Sequence, residues 1–285
     1  MNSLLLATRP KTLLAVVGPI IIGLSLSRNP IKIEIAFLTL ACALLLQIGT
    51  NLVNYYYDGI KGVDRDRIGP ARALASGLLN AKTLKTAFLV SFLLAALLGI
   101  ALMFRGGWPI TTIGIFSLVT AYAYTGGPFP LSYYGLGEFL ALIFFGPVAV
   151  FGTTYLQDLS FSWLPIIAGL GPGFLAATLM AVNNLRDRAN DSLHGKNTIA
   201  VYLGEGKARI FTIALVLAAA IIPFILFAMG ASIKTLFASG VLLIFLPMWR
   251  KILKDPIDQK LNKTLSKTGL CLFLYSLTFS LGYLL

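Results

Sequence analysis

Residues 35–49, "IAFLTLACALLLQIG", form an apolar segment, and residues 51–72, "NLVNYYYDGIKGVDRDRIGPAR", follow it with three aspartates and four basic residues. The apolar part approaches the ~20 residues that a helix needs to cross a hydrocarbon core of ~30 Å. Charged side chains this close to a bilayer-length segment are costly unless they have partners. The pattern therefore predicts a membrane-spanning helix that ends in a polar site.

The composition of the whole chain points the same way. Of its 285 residues, 57% are hydrophobic and 12% are charged, whereas soluble proteins have roughly 25% charged residues. The first apolar run, Leu13 to Leu26, follows Arg9 and Lys11 and has no convincing small-residue cleavage site. We therefore interpret it as a retained span and not as a signal peptide.

Cysteine, histidine and net charge exclude some classes of site. Cys42 and Cys271 both lie inside apolar runs, which favours core or lipid-facing thiols over a disulfide. The single histidine, His194, excludes a histidine-rich metal cluster. A net charge of +12 is compatible with nucleic-acid binding, but the basic residues are not on a soluble domain. We expect no nucleic-acid partner.

Apolar runs between turn signals predict nine helices, at 12–27, 34–57, 83–104, 109–125, 137–157, 162–185, 208–230, 233–249 and 266–285. The predicted fold is an all-α polytopic membrane protein, with nine transmembrane helices bundled around a central cavity in a single domain, residues 1–285. With this count, only four of the 23 Lys and Arg residues fall on one side: Arg28, Lys32, Arg105 and Lys234. Because cytoplasmic loops carry excess Lys and Arg, the N-terminus and the loops after spans 2, 4, 6 and 8 are predicted to be cytoplasmic.

Two acidic motifs on that side resemble each other. Both contain N-x-x-x-D, as Asn54 with Asp58 and as Asn183 with Asp187. Residues four apart share one face of a helix. Each motif adds aspartates further along, which are Asp64 and Asp66 in the first and Asp191 in the second. The sequence thus predicts two clusters of oxygen ligands on one side of the membrane.

These clusters suit Mg²⁺, which binds one or two carboxylates and leaves other positions for substrate phosphates and water. The candidate metal ligands are Asn54, Asp58, Asp64, Asn183, Asp187 and Asp191. Basic residues are interleaved with them, namely Lys61, Arg65, Arg67, Arg72, Arg186 and Lys196. Carboxylates mixed with basic groups indicate a metal-bridged polyphosphate. The alternative interpretation is a set of salt-bridged helix ends.

Five segments carry a resemblance to a known family. They are "ATRPKTL" (7–13), residues 51–72, "YTGGPFPLSYYGLGE" (124–138), "FFGPVAVFGTTYLQ" (144–157) and "NNLRDRANDSLHGKNTIAVYLG" (183–204). The chain resembles the UbiA superfamily of intramembrane prenyltransferases, and within it the 1,4-dihydroxy-2-naphthoate polyprenyltransferases of menaquinone biosynthesis and their phytyl-transferring relatives. One departure is Tyr55, since many members have Asn-Asp where this chain has Asn54-Tyr55.

The resemblance implies transfer of an isoprenoid chain from a prenyl or phytyl diphosphate to 1,4-dihydroxy-2-naphthoate, with loss of CO₂ and diphosphate. One Mg²⁺ is then expected on Asn54, Asp58 and Asp64, and a second on Asp187 and Asp191 with Asn183. The diphosphate is expected to contact Lys61, Arg67, Arg72, Arg186 and Lys196. The resemblance also implies a bacterial plasma membrane as the location.

Further candidates concern the prenyl chain and the acceptor: Arg9, Lys11, Tyr57, Tyr124 and Asn184. Arg9 and Lys11 either pair with the carboxylate of the acceptor or only flank span 1. A carbocation is stabilised by aromatic faces, for which the candidates are Tyr55, Tyr56, Tyr57, Tyr122 and Tyr124, although tyrosines also line membrane interfaces. Glu138 is either a partner of a helix dipole or a group that recognises or deprotonates the acceptor.

Other functions stay open at this point. A prenyltransferase for 4-hydroxybenzoate or homogentisate has the same two clusters. A transporter is the non-enzyme alternative, but transporter sites typically lie near the midplane on broken helices, whereas these clusters lie at the ends of spans. A lipid phosphotransferase with a CDP-alcohol motif is disfavoured, because Asp58-Gly59 is not followed by the Ala-Arg of that motif.

Overall fold

The computed structural model describes residues 3–63, 74, 77 and 79–285, apart from the side chain of Lys11. Helices make up 83% of the described residues, which contain no strand. The helices are α1 (Ser3–Ala7), α2 (Pro10–Ser25), α3 (Ile33–Ile60), α4 (Ala81–Ala123), α5 (Gly137–Ile143), α6 (Ala149–Asp158), α7 (Leu164–Leu193), α8 (Ile199–Ala228), α9 (Phe237–Ile244), α10 (Leu246–Lys254) and α11 (Leu261–Leu284). A π-helical turn, Phe144–Val148, joins α5 to α6, and short 3₁₀ helices span Leu131–Tyr134 and Ile233–Leu236.

Within the described residues, five helical segments are long and apolar enough to cross a membrane: α3, α4, α5 with α6, α7 and α8. The pair α9 and α10, bent by 45°, makes a sixth if it is counted as one span. Each of the nine predicted segments lies on helix, but the count of nine is not confirmed. One reason is that the apolar part of α2, Thr12–Ser25, is short for a span.

A break divides α4 where two separate spans are predicted. Gly107 has φ 65° and ψ −151°, a conformation that favours glycine, and Pro109 follows it. Across the break, the Cε of Met103 lies 2.7 Å from the position that a Cβ on Gly114 would occupy. In a continuous helix, positions 103 and 114 would be separated by roughly 16 Å along the axis, which is too far for this contact. The chain therefore turns back at Gly107, and its two halves pack against each other.

Helix α7 is the central element of the bundle, and most of its length is buried. It packs against α5 and the π-helical turn through backbone contact, because a Cβ on Gly146 would lie 2.6 Å from the carbonyl oxygen of Gly169. Glycine on both helices permits this close approach. The contact brings the start of α5 beside the C-terminal half of α7, where the second acidic motif lies.

The two motif-bearing helices end differently. Helix α3 ends at Ile60, and Gly62, with φ 74°, follows it. Helix α7 continues to Leu193, eight residues beyond the predicted end of its span, so Asp191 is still on the helix. The first motif is therefore helical up to Asp58, and the second is helical throughout.

Candidate active site

A cavity of about 300 Å³ opens between α2, α3, the two halves of α4, α5, α6 and α7. Its polar end is lined by residues of both motifs and the adjoining loop: Asn54, Asp58, Asn183, Asn184, Asp187, Asn190, Asp191 and Lys196. The remaining wall is mostly apolar and extends to Leu102, Ile110 and Leu156. On α3, both Thr39 and Asp58 line the cavity. They lie 19 residues apart, which corresponds to roughly 28 Å of helix.

The first motif is a buried hydrogen-bonded group. Asn54 Nδ2 donates to Asp58 Oδ2 over 2.7 Å and also lies 3.2 Å from Thr125 Oγ1. Arg9 donates from Nη2 to Asn54 Oδ1, and its guanidinium lies 5.3 Å from the ring centre of Tyr55. Tyr55, which follows Asn54 in the first motif, is thus a buried aromatic ring that contacts a cation.

The second motif is organised by Arg186. Its guanidinium donates to both carboxylate oxygens of Asp187, over 2.9 and 2.6 Å, and to Asn183 Oδ1 over 2.8 Å. A further bond, 2.8 Å long, reaches Asn262 Oδ1 on α11. Arg186 is 2% exposed and is not among the residues that line the cavity. In the described structure this arginine therefore orients Asp187 and does not face the cavity itself.

Lys196 brings the two motifs together. Its Nζ lies 3.4 Å from Asp58 Oδ2 and 3.9 Å from Asp191 Oδ1. A second link between the motifs is the bond of 2.7 Å from Asn190 Nδ2 to the carbonyl oxygen of Val63. The two motifs, more than 120 residues apart in sequence, thus form one site at one end of the cavity.

Tyr133 lies beside Asp58 at the polar end, or mouth, of the cavity, and it was not among the site residues predicted from the sequence. Its hydroxyl donates to Asp58 Oδ1 over 3.3 Å. The Nζ of Lys61 lies 4.4 Å from its ring centre, and the Nζ of Lys196 lies 5.7 Å from it. The only sequence signal for this placement is its location in the loop 124–136, which was predicted to lie on the same side as both motifs.

Glu138 lies beside the cavity, and only one of its two carboxylate oxygens accepts a hydrogen bond from a described residue. Asn184 Nδ2 donates to Oε1 over 3.0 Å, while Oε2 is buried and has no hydrogen-bond partner among the described residues. Its neighbour Gly137 lines the cavity, and the position of a Cβ there is 3.1 Å from the hydroxyl of Tyr124. A buried carboxylate oxygen without a partner is costly, which marks this position for contact with a ligand.

Tyr124 is the member of the five tyrosine candidates that lines the cavity; all five are among the described residues. Its hydroxyl donates to the Sδ of Met180 over 3.3 Å. By contrast, Tyr57 shares a hydrogen bond of 2.7 Å with Tyr122, outside the cavity lining.

Several predicted residues fall outside the described part of the chain. They are Asp64, Arg65, Asp66, Arg67 and Arg72, together with the side chain of Lys11. Among the described residues, no group of three His, Cys, Asp or Glu side chains is arranged to hold a metal. The donors that do line the cavity are carboxylates and amides, which are suitable ligands for Mg²⁺ when substrate phosphates complete the coordination. The donor chemistry therefore fits the predicted ion.

Comparison with known proteins defines the class. The family model described as the UbiA prenyltransferase family matches residues 16–277, nearly the whole chain. The protein therefore belongs to this family, and it is an integral membrane enzyme, an aromatic prenyltransferase.

Individual relatives narrow the comparison. The chain is 34% identical over 97% of its length to a 1,4-dihydroxy-2-naphthoate octaprenyltransferase from Haemophilus influenzae, covering 94% of that protein. It is 36% identical over 76% of its length to the Mycobacterium tuberculosis protein of the same name, covering 75% of it. The solved structure of a UbiA homologue from Archaeoglobus fulgidus, bound to DMAPP and Mg²⁺, matches 99% of both chains with a TM-score of 0.69 at 18% identity. This last likeness shows a shared fold.

Proposed function

We propose that this protein transfers a polyprenyl chain from its diphosphate to 1,4-dihydroxy-2-naphthoate, with release of CO₂ and diphosphate. The observation that carries the proposal is the meeting of both acidic motifs at the polar end of a long apolar cavity. Two relatives named for this acceptor support the choice of the naphthoate.

Asn54 and Asp58, with Asp64, would hold one Mg²⁺, and Asn183, Asp187 and Asp191 the other. When bound, the ions neutralise the charge that develops on the departing diphosphate. Arg186 holds Asp187 in a fixed orientation through two parallel bonds. Because the arginine is anchored to α11, its contribution in this proposal is to orient a ligand and not to contact the phosphates.

Lysines at the mouth would bind the diphosphate oxygens that the metal leaves free. Lys196 already lies between Asp58 and Asp191, and Lys61 is exposed at the edge of the same site. Arg67 and Arg72 would also bind the diphosphate. Charge-assisted bonds to phosphate are about twice as strong as neutral ones.

The prenyl chain would lie along the apolar part of the cavity. The lining between Asp58 and Thr39 on α3, roughly 28 Å of helix, is comparable with the ~30 Å of a hydrocarbon core. This length favours a long polyprenyl chain over a short one. The apolar wall also excludes water from the carbocation, and the Tyr124 ring provides an aromatic face beside it.

The acceptor would lie between Arg9, Tyr124 and Glu138. The bond from the first carbon of the prenyl chain to the diphosphate oxygen breaks, and the departing diphosphate keeps the electron pair. The carboxylate of Glu138 takes a proton from the ring hydroxyl, and electrons from that oxygen allow the ring carbon that carries the carboxylate to bond to this first prenyl carbon. The bond from this ring carbon to CO₂ then breaks, its electron pair restores the aromatic ring, and the proton returns to the oxygen. Asn184 orients Glu138 through its bond of 3.0 Å.

The membrane orientation and the span count are part of the same proposal. We place the N-terminus and the site on the cytoplasmic side of a bacterial plasma membrane, with nine spans in one domain. The unequal distribution of Lys and Arg between the two sides supports this orientation.

A product assay tests the proposal. Purified protein in detergent is incubated with Mg²⁺, prenyl or phytyl diphosphates of several lengths, and either 1,4-dihydroxy-2-naphthoate, 4-hydroxybenzoate or homogentisate. We expect a prenylated, decarboxylated naphthalene product by mass spectrometry, formed fastest with long prenyl donors. Turnover of a benzoate acceptor without turnover of the naphthoate would overturn the proposed acceptor.

A further inference from the structure

Tyr133 contacts both lysines at the mouth of the site. Lys61 follows α3, and Lys196 lies in the loop after α7, so the two come from opposite motifs. Both ammonium groups lie near the ring of Tyr133, at 4.4 and 5.7 Å from its centre. An ammonium group over a phenol ring is attracted by the negative face of the ring.

Among the described residues, two hydrogen bonds also hold Tyr133 in place. The Tyr133 hydroxyl donates to Asp58 Oδ1, and its carbonyl oxygen accepts a bond of 3.1 Å from the backbone N–H of Asn197. Gly135, with φ 71°, ends the short 3₁₀ helix. A Cβ on this glycine would lie 3.4 Å from the carbonyl oxygen of Asn197. The loop 124–136 is thus tied directly to the residue that follows Lys196.

We propose that Tyr133 is a positioning residue that holds Lys61 and Lys196 at the mouth of the cavity so that both can bind the diphosphate of the prenyl donor. This inference rests on the proposed function, which supplies the diphosphate. Lysine side chains lose much conformational entropy when they are fixed, and two ammonium groups in one site repel each other. A shared aromatic face offsets both costs.

The neighbouring Tyr134 provides a matched control. It lies in the same turn, but it is 56% exposed, whereas Tyr133 is half-buried. Replacing either tyrosine changes the loop composition equally. A difference between the two variants therefore reports the contacts of Tyr133.

The experiment compares Tyr133→Leu, Tyr133→Phe and Tyr134→Leu. Binding of inorganic pyrophosphate in the presence of Mg²⁺ is measured by calorimetry, and KM is measured separately for prenyl diphosphate and for acceptor. For Tyr133→Leu we expect roughly tenfold weaker pyrophosphate binding and a similar rise in KM for prenyl diphosphate, with an unchanged KM for the acceptor. Tyr133→Phe keeps the ring and should stay within about threefold of wild type; Tyr134→Leu should match wild type.

A double variant sharpens the test. If the ring acts through the lysines, Lys61→Met should weaken pyrophosphate binding less in the Tyr133→Leu background than in wild type. Tyr133→Met serves as a second ring-free variant if Tyr133→Leu does not purify as folded protein.

Wild-type pyrophosphate affinity in a folded ring-free variant would overturn the proposal. So would an equal loss in Tyr133→Phe, since the hydroxyl bond to Asp58 would then carry the effect. The pyrophosphate measurement does not depend on the acceptor, so the positioning role is tested even if the naphthoate is not the substrate.

Discussion

Lys196 Nζ lies 3.4 Å from Asp58 Oδ2, although 138 residues separate the two in sequence. The side chain of Asp58 is 1% exposed and that of Lys196 is 12% exposed, so the pair is largely removed from water. The same lysine approaches Asp191. One cation thus lies between the two acidic motifs, at the place where the proposed metal ions and diphosphate would bind.

The first prediction concerns the motif aspartates. Asp58→Asn and Asp187→Asn each remove a carboxylate charge while keeping the shape of the side chain. Because the metal contribution to such a step is several kcal/mol, prenyl transfer should fall at least about 100-fold. Product formation under saturating substrates is the measurement. Asp158→Asn is the matched control, since Asp158 bonds to Ser27 and Asn29 away from the motifs and should keep activity within tenfold. Near-normal activity of both motif variants would contradict the metal assignment.

The second prediction concerns Lys196→Met. Without this cation the buried carboxylates lose a partner, which should destabilise the metal-free protein by at least about 1 kcal/mol. Thermal unfolding in detergent with EDTA should show a lower midpoint, and Mg²⁺ should raise it more in the variant than in wild type. Lys260→Met, at a lysine whose side chain is 85% exposed, is the control and should change neither value. An identical Mg²⁺ response in variant and wild type would argue against metal binding between the motifs.

A third prediction tests the orientation of Asp187. Asn262→Ala removes the anchor of Arg186 on α11 without altering any cavity-lining side chain. The Mg²⁺ concentration that gives half-maximal activity should rise about tenfold, and saturating Mg²⁺ should restore the activity. Lys263→Ala, at the adjacent exposed position, should behave as wild type. A loss that saturating Mg²⁺ does not recover would mean that Asn262 has a different role.

The fourth prediction concerns Glu138→Gln. Glutamine keeps the oxygen that accepts from Asn184 but cannot take a proton, so kcat should fall about 100-fold or more while the KM for prenyl diphosphate stays unchanged. Steady-state kinetics with each substrate varied in turn is the measurement. If Glu138 were only a helix-dipole partner, the loss of its charge would cost ~1 kcal/mol of stability and leave kcat near normal.

The fifth prediction addresses the apolar cavity. Cys42 lines it on α3, roughly 24 Å of helix from Asp58. Cys42→Trp should shorten the available space, lowering activity with long prenyl diphosphates at least about tenfold and leaving short donors unaffected. Phe37→Trp changes an exposed residue of the same helix and is the control. Equal losses with long and short donors would indicate that the prenyl chain does not follow this wall.

Part of the site was predictable because its geometry is local. Asn54 and Asp58 lie four residues apart on one helix, and the hydrogen bond between them follows from helical spacing. The predicted segments all lie on helix for a similar reason, since a bilayer-length apolar run has few alternatives to a helix. The number that cross the membrane does not follow from the apolar runs alone, because a run as short as Thr12–Ser25 forms a helix without reaching bilayer length.

Arg186 illustrates what sequence patterns cannot resolve. As a basic residue beside Asp187 it was predicted to contact the diphosphate, but its guanidinium is bound by Asp187, Asn183 and Asn262. The Asn262 contact depends on α11, 76 residues further along, and nothing in the local sequence indicates it. A long side chain can reach either side of its helix, so packing determines which partner it finds.

The sequence by itself determined the membrane class, the helical segments, the two acidic motifs and the family to which they belong, because hydrophobic run length and residue spacing are local properties. Only the tertiary structure decided that Lys196 meets Asp58, that Tyr133 faces two lysines and that Glu138 has a buried oxygen with no hydrogen-bond partner among the described residues. These relations depend on how distant helices pack, as in the close contact of Gly146 with Gly169. Such contacts arise from the shapes of whole helix surfaces, which no short pattern in one chain specifies.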